Sequence, residues 1–177
     1  SPDGTRLAVG WYDGNVDLWD VPGRRLVQTF GGSERPRPAH VAFSPVRNLL
    51  AATSEPKVVT LHDLNSGQSS VLWRGPVEGE WSVRDLAFSQ DGSKLVIYAG
   101  STHANPELGD AAGVVNVSSA QIECRHLAPF SNPDHSGAAR LSPDNSRLSL
   151  SLSDAQNYRY RIQCIDLATG KELWLTE

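Results

Sequence analysis

Apolar positions in this chain come in short runs separated by Gly, Pro, Asn and Asp, and none sustains a helical stripe with caps. The runs Leu7–Val9, Leu49–Ala52, Leu95–Ala99 and Leu148–Leu152 each follow a turn phrase. Those phrases are Ser1-Pro2-Asp3-Gly4, Phe43-Ser44-Pro45-Val46, Phe88-Ser89-Gln90-Asp91-Gly92 and Leu141-Ser142-Pro143-Asp144-Asn145. Proline presets φ for the first turn position and Asp-Gly supplies the bend, so the phrase predicts a hairpin. Second runs follow at Val16–Val21, Val58–Leu64, Val114–Val117 and Ile162–Leu167. A polar turn and a last strand close the unit, as in Arg25–Phe30 and Glu172–Leu175. Asp13-Gly14 is a further hairpin signal. The serines of the phrase recur at spacings of 43, 45 and 53 residues, so the chain reads as a repeat.

Each unit predicts a four-stranded antiparallel sheet, lettered a to d from the inner strand to the outer. Ser1–Gly4 is an a–b turn, so the first unit is expected to lack its inner strand. A lone sheet leaves apolar faces in water, and stacking units face to face around an axis covers them. The expected class is therefore all-β: a β-propeller of about four blades, near residues 1–32, 38–75, 81–128 and 137–177. One missing strand favours an incomplete ring, a fragment of a propeller of about six to eight blades. A compact four-bladed ring with one three-stranded blade is the alternative.

The turn phrase, together with Val16-Asp17-Leu18-Trp19-Asp20-Val21, resembles a WD40 repeat. The Trp-Asp position reads Trp19-Asp20, His62-Asp63, Ser118-Ser119 and Ile165-Asp166. In strong repeats of that family the Trp joins a hydrogen-bonded set with a Ser or Thr, a His and a hairpin Asp. Asp13 sits in the place of that Asp, whereas Trp11 occupies the Ser slot. The resemblance therefore implies blades held by packing rather than by the full polar set. It also implies a non-catalytic scaffold that binds proteins or peptides, within a larger protein. The partners expected are such proteins and further blades of the same full-length chain.

Composition narrows the classes. The 177 residues are 39% apolar and 20% charged, with net charge −4. That charge, with no basic run beyond Arg24-Arg25, gives no reason to expect nucleic acid. No stretch nears the ~20 apolar residues of a membrane helix, and there is no signal-peptide pattern, so a cytoplasmic protein without membrane contact is expected. The absence of methionine points to a natural start outside these residues. Cys124 and Cys164 lack metal-ligand spacing and read as small buried hydrophobes. Gly-x-Ser-x-Gly, His-Glu-x-x-His and phosphate-loop motifs are absent, so neither enzyme activity nor a cofactor is expected. His103, Asp110 and His135 fall on loops of one rim, but without ligand spacing they imply no metal. A competing resemblance is the stretch Cys164–Trp174, similar to the Asp-x-x-Thr-Gly-Lys-x-x-Trp phrase of quinoprotein propellers. That resemblance implies an oxidoreductase or an extracytoplasmic assembly factor. The plainer reading is that Thr169-Gly170-Lys171 makes a c–d turn and Trp174 covers a blade face.

In the WD40 family the d–a and b–c loops share one face, commonly the binding face. Here that rim comprises Gly31–His40, Arg74–Ser82, Ala99–Ala112 and Ala128–Ala139. Its candidate partner-binding residues are Arg35, Arg37, Trp81, His103, Asn105, Glu107, Asp110 and His135. Trp81 is expected just before strand a of the third unit, beside Glu78 and Glu80. Asp13, Trp19, Asp20, Asp63, Asp166 and Trp174 are structural repeat positions.

Overall fold

Each turn phrase opens a sheet. A computed structural model describes residues 1–31, 38–55, 57–75, 81–101, 110–128, 137–154 and 159–176. They form fifteen strands in four antiparallel sheets. The first sheet is β1 (Arg6–Gly10), β2 (Asn15–Asp20) and β3 (Arg25–Gly31). The second is β4 (Val41–Phe43), β5 (Leu49–Glu55), β6 (Val58–Asp63) and β7 (Ser69–Arg74). The third is β8 (Trp81–Phe88), β9 (Lys94–Ser101), β10 (Asp110–Asn116) and β11 (Ile122–Ala128). The fourth is β12 (Gly137–Leu141), β13 (Arg147–Asp154), β14 (Arg159–Asp166) and β15 (Glu172–Thr176). Every sheet is a meander in chain order, and the first has three strands, as the turn spacing predicts. No helix among the described residues is long and apolar enough to cross a membrane.

The a–b turns share one hydrogen-bond plan. The backbone N of Ser1, Ser44, Ser89 and Ser142 donates to the carbonyl five residues on, at 2.8–2.9 Å. The hydroxyls of Ser1, Ser89 and Ser142 accept from the N–H of that same residue at 2.9–3.0 Å. Asp3, Asp91 and Asp144 then accept from the N–H of Thr5, Ser93 and Ser146 at 3.0–3.1 Å. Serine and aspartate are short enough to bond their own backbone, and so can stand in for a missing strand partner at a turn. Val46 replaces the Asp in the second sheet, and Ser44 there instead accepts from Arg47 N at 3.2 Å.

The chain divides into two units, Ser1–Gly75 and Pro76–Glu177, each with two sheets and its own core. In the first, Val16, Leu18 and Phe30 of the first sheet pack against Leu50 and Ala52 of the second. The Phe30 ring lies 4.2 Å from the His62 imidazole. In the second, Val96, Tyr98, Ala112 and Val114 of the third sheet pack against Ala139, Leu148, Leu150 and Ile165 of the fourth. Alternation along each strand sends one set of side chains to each face, so within each unit one face of each sheet packs on its partner sheet. Close approach explains Gly137: a Cβ there would fall on the Tyr98 ring.

Candidate interaction surface

Every sheet has two ends. One carries the a–b and c–d turns; the other carries the b–c and d–a connections. The turn end is built from short, self-satisfied loops. At the c–d turns, Asp63 accepts from the N–H of Asn65 and Ser66 at 2.8 and 3.1 Å, and Asp166 from that of Thr169 at 2.8 Å. Asn116 does the same with Ser118 and Ser119 at 3.0 and 3.1 Å. Asp20 contacts Gly23 N at 3.4 Å and pairs with Arg25 Nε at 3.3 Å. Such bonds lower the pKa values of five turn-end aspartates, Asp3, Asp63, Asp91, Asp144 and Asp166. Hydroxyl and N–H donors from Ser1 and Thr5 draw Asp3 down from 3.8 to about 2. Ser142 and Ser146 bring Asp144 to about 2 in the same way. Asp91 lies well below the usual carboxylate range, through Ser89, Ser93 and Asn145. Backbone N–H groups also lower Asp63, and the Thr169 hydroxyl and N–H lower Asp166.

The third sheet corrects one sequence expectation. The spacing puts its Trp-Asp pair at Ser118-Ser119, but the residue that ends strand c and caps the turn is Asn116, after Val115. An amide oxygen accepts the same two N–H bonds as a carboxylate, so the turn forms without an Asp. The signal was present in the sequence as Asn116-x-Ser118-Ser119, which parallels Asp63-x-Asn65-Ser66.

The turn end also holds a groove of about 260 Å³ between the third and fourth sheets, lined in part by Lys94, Glu123, Asn145 and Asp166. Lys94 Nζ pairs with Glu123 at 2.8 Å, which lowers the Glu123 pKa. Asn145 donates from Nδ2 to Asp91 at 2.8 Å, while its Oδ1 is buried without a partner among the described residues. The groove therefore offers one free acceptor beside charges already paired. Sequence reasoning did not find it, because it joins residues about 50 positions apart. Among the described residues no group of three or more His, Cys, Asp and Glu could hold a metal.

The loop end is where the candidate rim was expected. Arg35, Arg37, His103, Asn105, Glu107 and His135 lie outside the described residues. Trp81 is the first residue of β8, paired with Ser101, rather than preceding the strand. Asp110 opens β10, paired with Ala128. The register thus brings Trp81 and Asp110 to the same end of the third sheet, although their side chains lie outside the described ones. Strands β9 and β10 run further than predicted, so the b–c connection narrows from Ala99–Ala112 to 102–109. The one b–c turn described throughout is Trp11–Gly14. There Asp13 accepts from Asn15 N at 3.0 Å and from Asn15 Nδ2 at 2.7 Å.

The fold has counterparts among solved structures. The β-propeller domain of Myceliophthora thermophila Cps50 (Swd1) superposes with a TM-score of 0.69, at 16% identity, over 99% of this chain and 53% of that one. A chain of the mitotic checkpoint complex superposes with a TM-score of 0.66, at 19% identity, over 98% of this chain and 48% of that one. In sequence, the WD repeat-containing protein SL1-17 of Schistosoma mansoni is 28% identical over 171 residues, 95% of this chain and 49% of that protein. The chain has a β-propeller fold. No family model matches it. It spans about half the length of each of these three proteins.

The polar set of the WD40 repeats that the sequence resembles is replaced here by other contacts. Trp19, at the family's Trp position, makes no side-chain hydrogen bond to a described residue and is half-buried. Trp11 instead donates from Nε1 to Asp17 Oδ2 at 2.8 Å, and Thr29 donates to Asp17 Oδ1 at 2.6 Å. His62, in the second sheet's Trp position, bonds the Ser69 hydroxyl through Nδ1 at 2.7 Å and stacks on Phe30. Burial lowers its pKa. Val115 and Ile165 fill the same position with plain apolar bulk, each 0% exposed. Trp174 is 50% exposed and pairs with Cys164, which is buried as a free thiol, as its isolation in the sequence predicts.

Proposed function

We propose that this chain is a segment of a non-catalytic WD40-like scaffold that binds proteins or peptides on its loop end. The fold carries the reading, together with the contrast between the two ends. Most turn-end carboxylates and amides are spent on nearby backbone N–H groups. At the loop end 11–14, 56–57 and 155–158 are short, while the connections 32–40, 75–80, 102–109 and 129–136 are longer than any turn-end loop. Loops of that length on a rigid sheet are where binding residues concentrate. Trp81 and Asp110 stand where two of those connections meet the third sheet. Arg35, Arg37, His103, Asn105, Glu107 and His135 belong to the same proposed surface. One of the solved neighbours is a chain of a multi-protein complex, which suits a role in assembly. None of the three named relatives is a quinoprotein, and a cytoplasmic location goes with the scaffold reading.

The test uses peptides selected on the purified chain from a random displayed library, with affinity measured by titration calorimetry. Trp81→Ala, or replacement of 102–109 by a Gly-Ser linker, is expected to weaken binding about tenfold or more, the effect of losing an interface anchor. The sheet circular dichroism should stay unchanged. Binding indifferent to both changes, or redox turnover that depends on calcium and a quinone, would overturn the scaffold reading.

A further inference from the structure

The groove between the third and fourth sheets has a wall built by one unusual residue. Asn145 holds the turn position of Gly4 and Gly92 and shares their left-handed backbone, at φ 58° against 71° and 67°. Glycine reaches that conformation without strain, so what an asparagine adds there is its amide. The amide crosses to the third sheet and donates from Nδ2 to Asp91 Oδ2 at 2.8 Å. That bond leaves Oδ1 as the spare end, shut off from water and unpartnered among the described residues. A buried acceptor without a donor is costly, and a donor brought to it removes that cost.

The adjoining c–d turn supplies a second acceptor. Asp166 Oδ1 takes both the N–H and the hydroxyl of Thr169, at 2.8 and 2.6 Å, and no described residue donates to Oδ2. Leu167 N donates to Ser146 O at 2.9 Å, which ties this turn to the one carrying Asn145. The other charges are engaged. Glu123 accepts from Asn116 Nδ2 at 3.0 Å through one oxygen and from Lys94 Nζ at 2.8 Å through the other. The lining thus carries two carboxylates, Glu123 and Asp166, against one ammonium, Lys94. Asp91 and Asp144 stand behind it, hydrogen-bonded to Asn145 and Ser146. Val114, Leu167 and Ala168 supply the apolar part of the lining. At about 260 Å³ the groove is smaller than the ~300–1,000 Å³ pockets of drug-sized ligands and suits one side chain.

We propose that this groove receives an arginine side chain of a partner protein, its aliphatic stem on Leu167 and Ala168 and its guanidinium between Asp166 Oδ2 and Asn145 Oδ1. The Asn145 amide gives way slightly to present its oxygen. A planar fork of N–H donors serves two acceptors on different turns at once, which a compact lysine ammonium does less well. The excess of carboxylates opposes an acidic occupant. This is a second surface, at the end opposite the loops proposed above and independent of them.

The probe is acetyl-Ala-Arg-Ala-amide, titrated into the isotope-labelled chain and followed by NMR. Saturable shifts are expected at the Asn145 side-chain amide and at the backbone amides of Ser146, Leu167 and Ala168. The dissociation constant should be on the order of 1 mM, as befits one side chain. The citrulline peptide, alike in shape but uncharged, should bind about fivefold more weakly or worse. Ala168 is exposed at the groove, so Ala168→Trp should fill it and abolish the shifts at Ser146 and Leu167. Asn145→Gly suits the backbone of the turn and should weaken arginine binding about threefold or more. Circular dichroism should be unchanged in both variants. No saturable shift by ~10 mM overturns the assignment. So do shifts centred on other residues, equal binding of the citrulline peptide, or binding indifferent to both substitutions.

Discussion

Replacing Leu7 and Leu50 by alanine, one at a time, measures what a covering sheet contributes. The two leucines share a residue type, a strand position and the unit Ser1–Gly75. They differ in burial, 52% exposed against 0%. Leu→Ala at a closed core site costs about 2–5 kcal/mol, as lost transfer energy plus a cavity. Leu50, walled by Val16, Leu18 and Phe30, should fall near the middle of that range, about 3 kcal/mol. About half of the transfer term is already absent at Leu7, and no closed cavity forms on a face open to water. Its loss should cost about 1 kcal/mol. The change in β propensity, under about 1 kcal/mol, is common to both and cancels in the comparison. Urea unfolding followed by tryptophan fluorescence, Trp11, Trp19 and Trp73 reporting on this unit, should separate the two midpoints. With a slope of about 2 kcal/mol per M, a 2 kcal/mol difference is about 1 M. Equal costs within about 0.5 kcal/mol would refute the reasoning, because they would mean that Leu7 is as enclosed in solution as Leu50.

Four further outcomes follow from the turns and the core. The residue four places after the c–d capping group is left-handed in every sheet, as Gly67 and Gly170 at φ 73° and 69° but as Arg24 and Ala120 at 50° and 56°. Ala120→Gly should therefore stabilise by about 0.5–1 kcal/mol, the relief of strain exceeding the added freedom of the unfolded chain; Gly67→Ala, with open space around its Cβ, should cost about 1 kcal/mol, and thermal unfolding of both variants checks the pair. Gly137→Ala should destabilise by about 1–3 kcal/mol through collision with Tyr98, and a melting temperature equal to that of the parent would contradict the packing. The lowered pKa values of Asp3, Asp91 and Asp144 contribute stability that is present above about pH 4 and is lost as pH falls toward 2; the triple Asn variant should show a flatter decline in that window. His62 acts earlier, since its lowered pKa means that stability begins to fall as pH drops through 6.5, and His62→Gln should remove that first slope in an acid titration followed by circular dichroism.

Much of the fold was legible because it is local. The Ser-x-Asp phrase closes its own turn with side-chain bonds spanning two to five residues, so Ser89, Asp91 and Lys94 carry their geometry wherever they stand. Strand alternation and the missing inner strand of the first sheet follow from the spacing of those turns. The third sheet's capping residue was misplaced because Asn116 does a carboxylate's work without its charge. The loop-end candidates were legible only as a rim, since hairpin topology sets which connections share an end but not what their side chains meet.

The order of turns and runs by itself determined four meander sheets, with three strands in the first, and a repeat that resembles those of WD40 proteins. It could do so because each hairpin rests on contacts a few residues apart. Tertiary structure decided which of two equivalent leucines is dry. Leu7 and Leu50 occupy the same phrase of the repeat, and only the sheet lying against the second tells them apart. Tertiary structure alone also put Asn145 against Asp91, Gly137 under Tyr98 and Phe30 on His62. Burial depends on what lies across a face, and that neighbour is tens of residues away along the chain, beyond the reach of any local pattern.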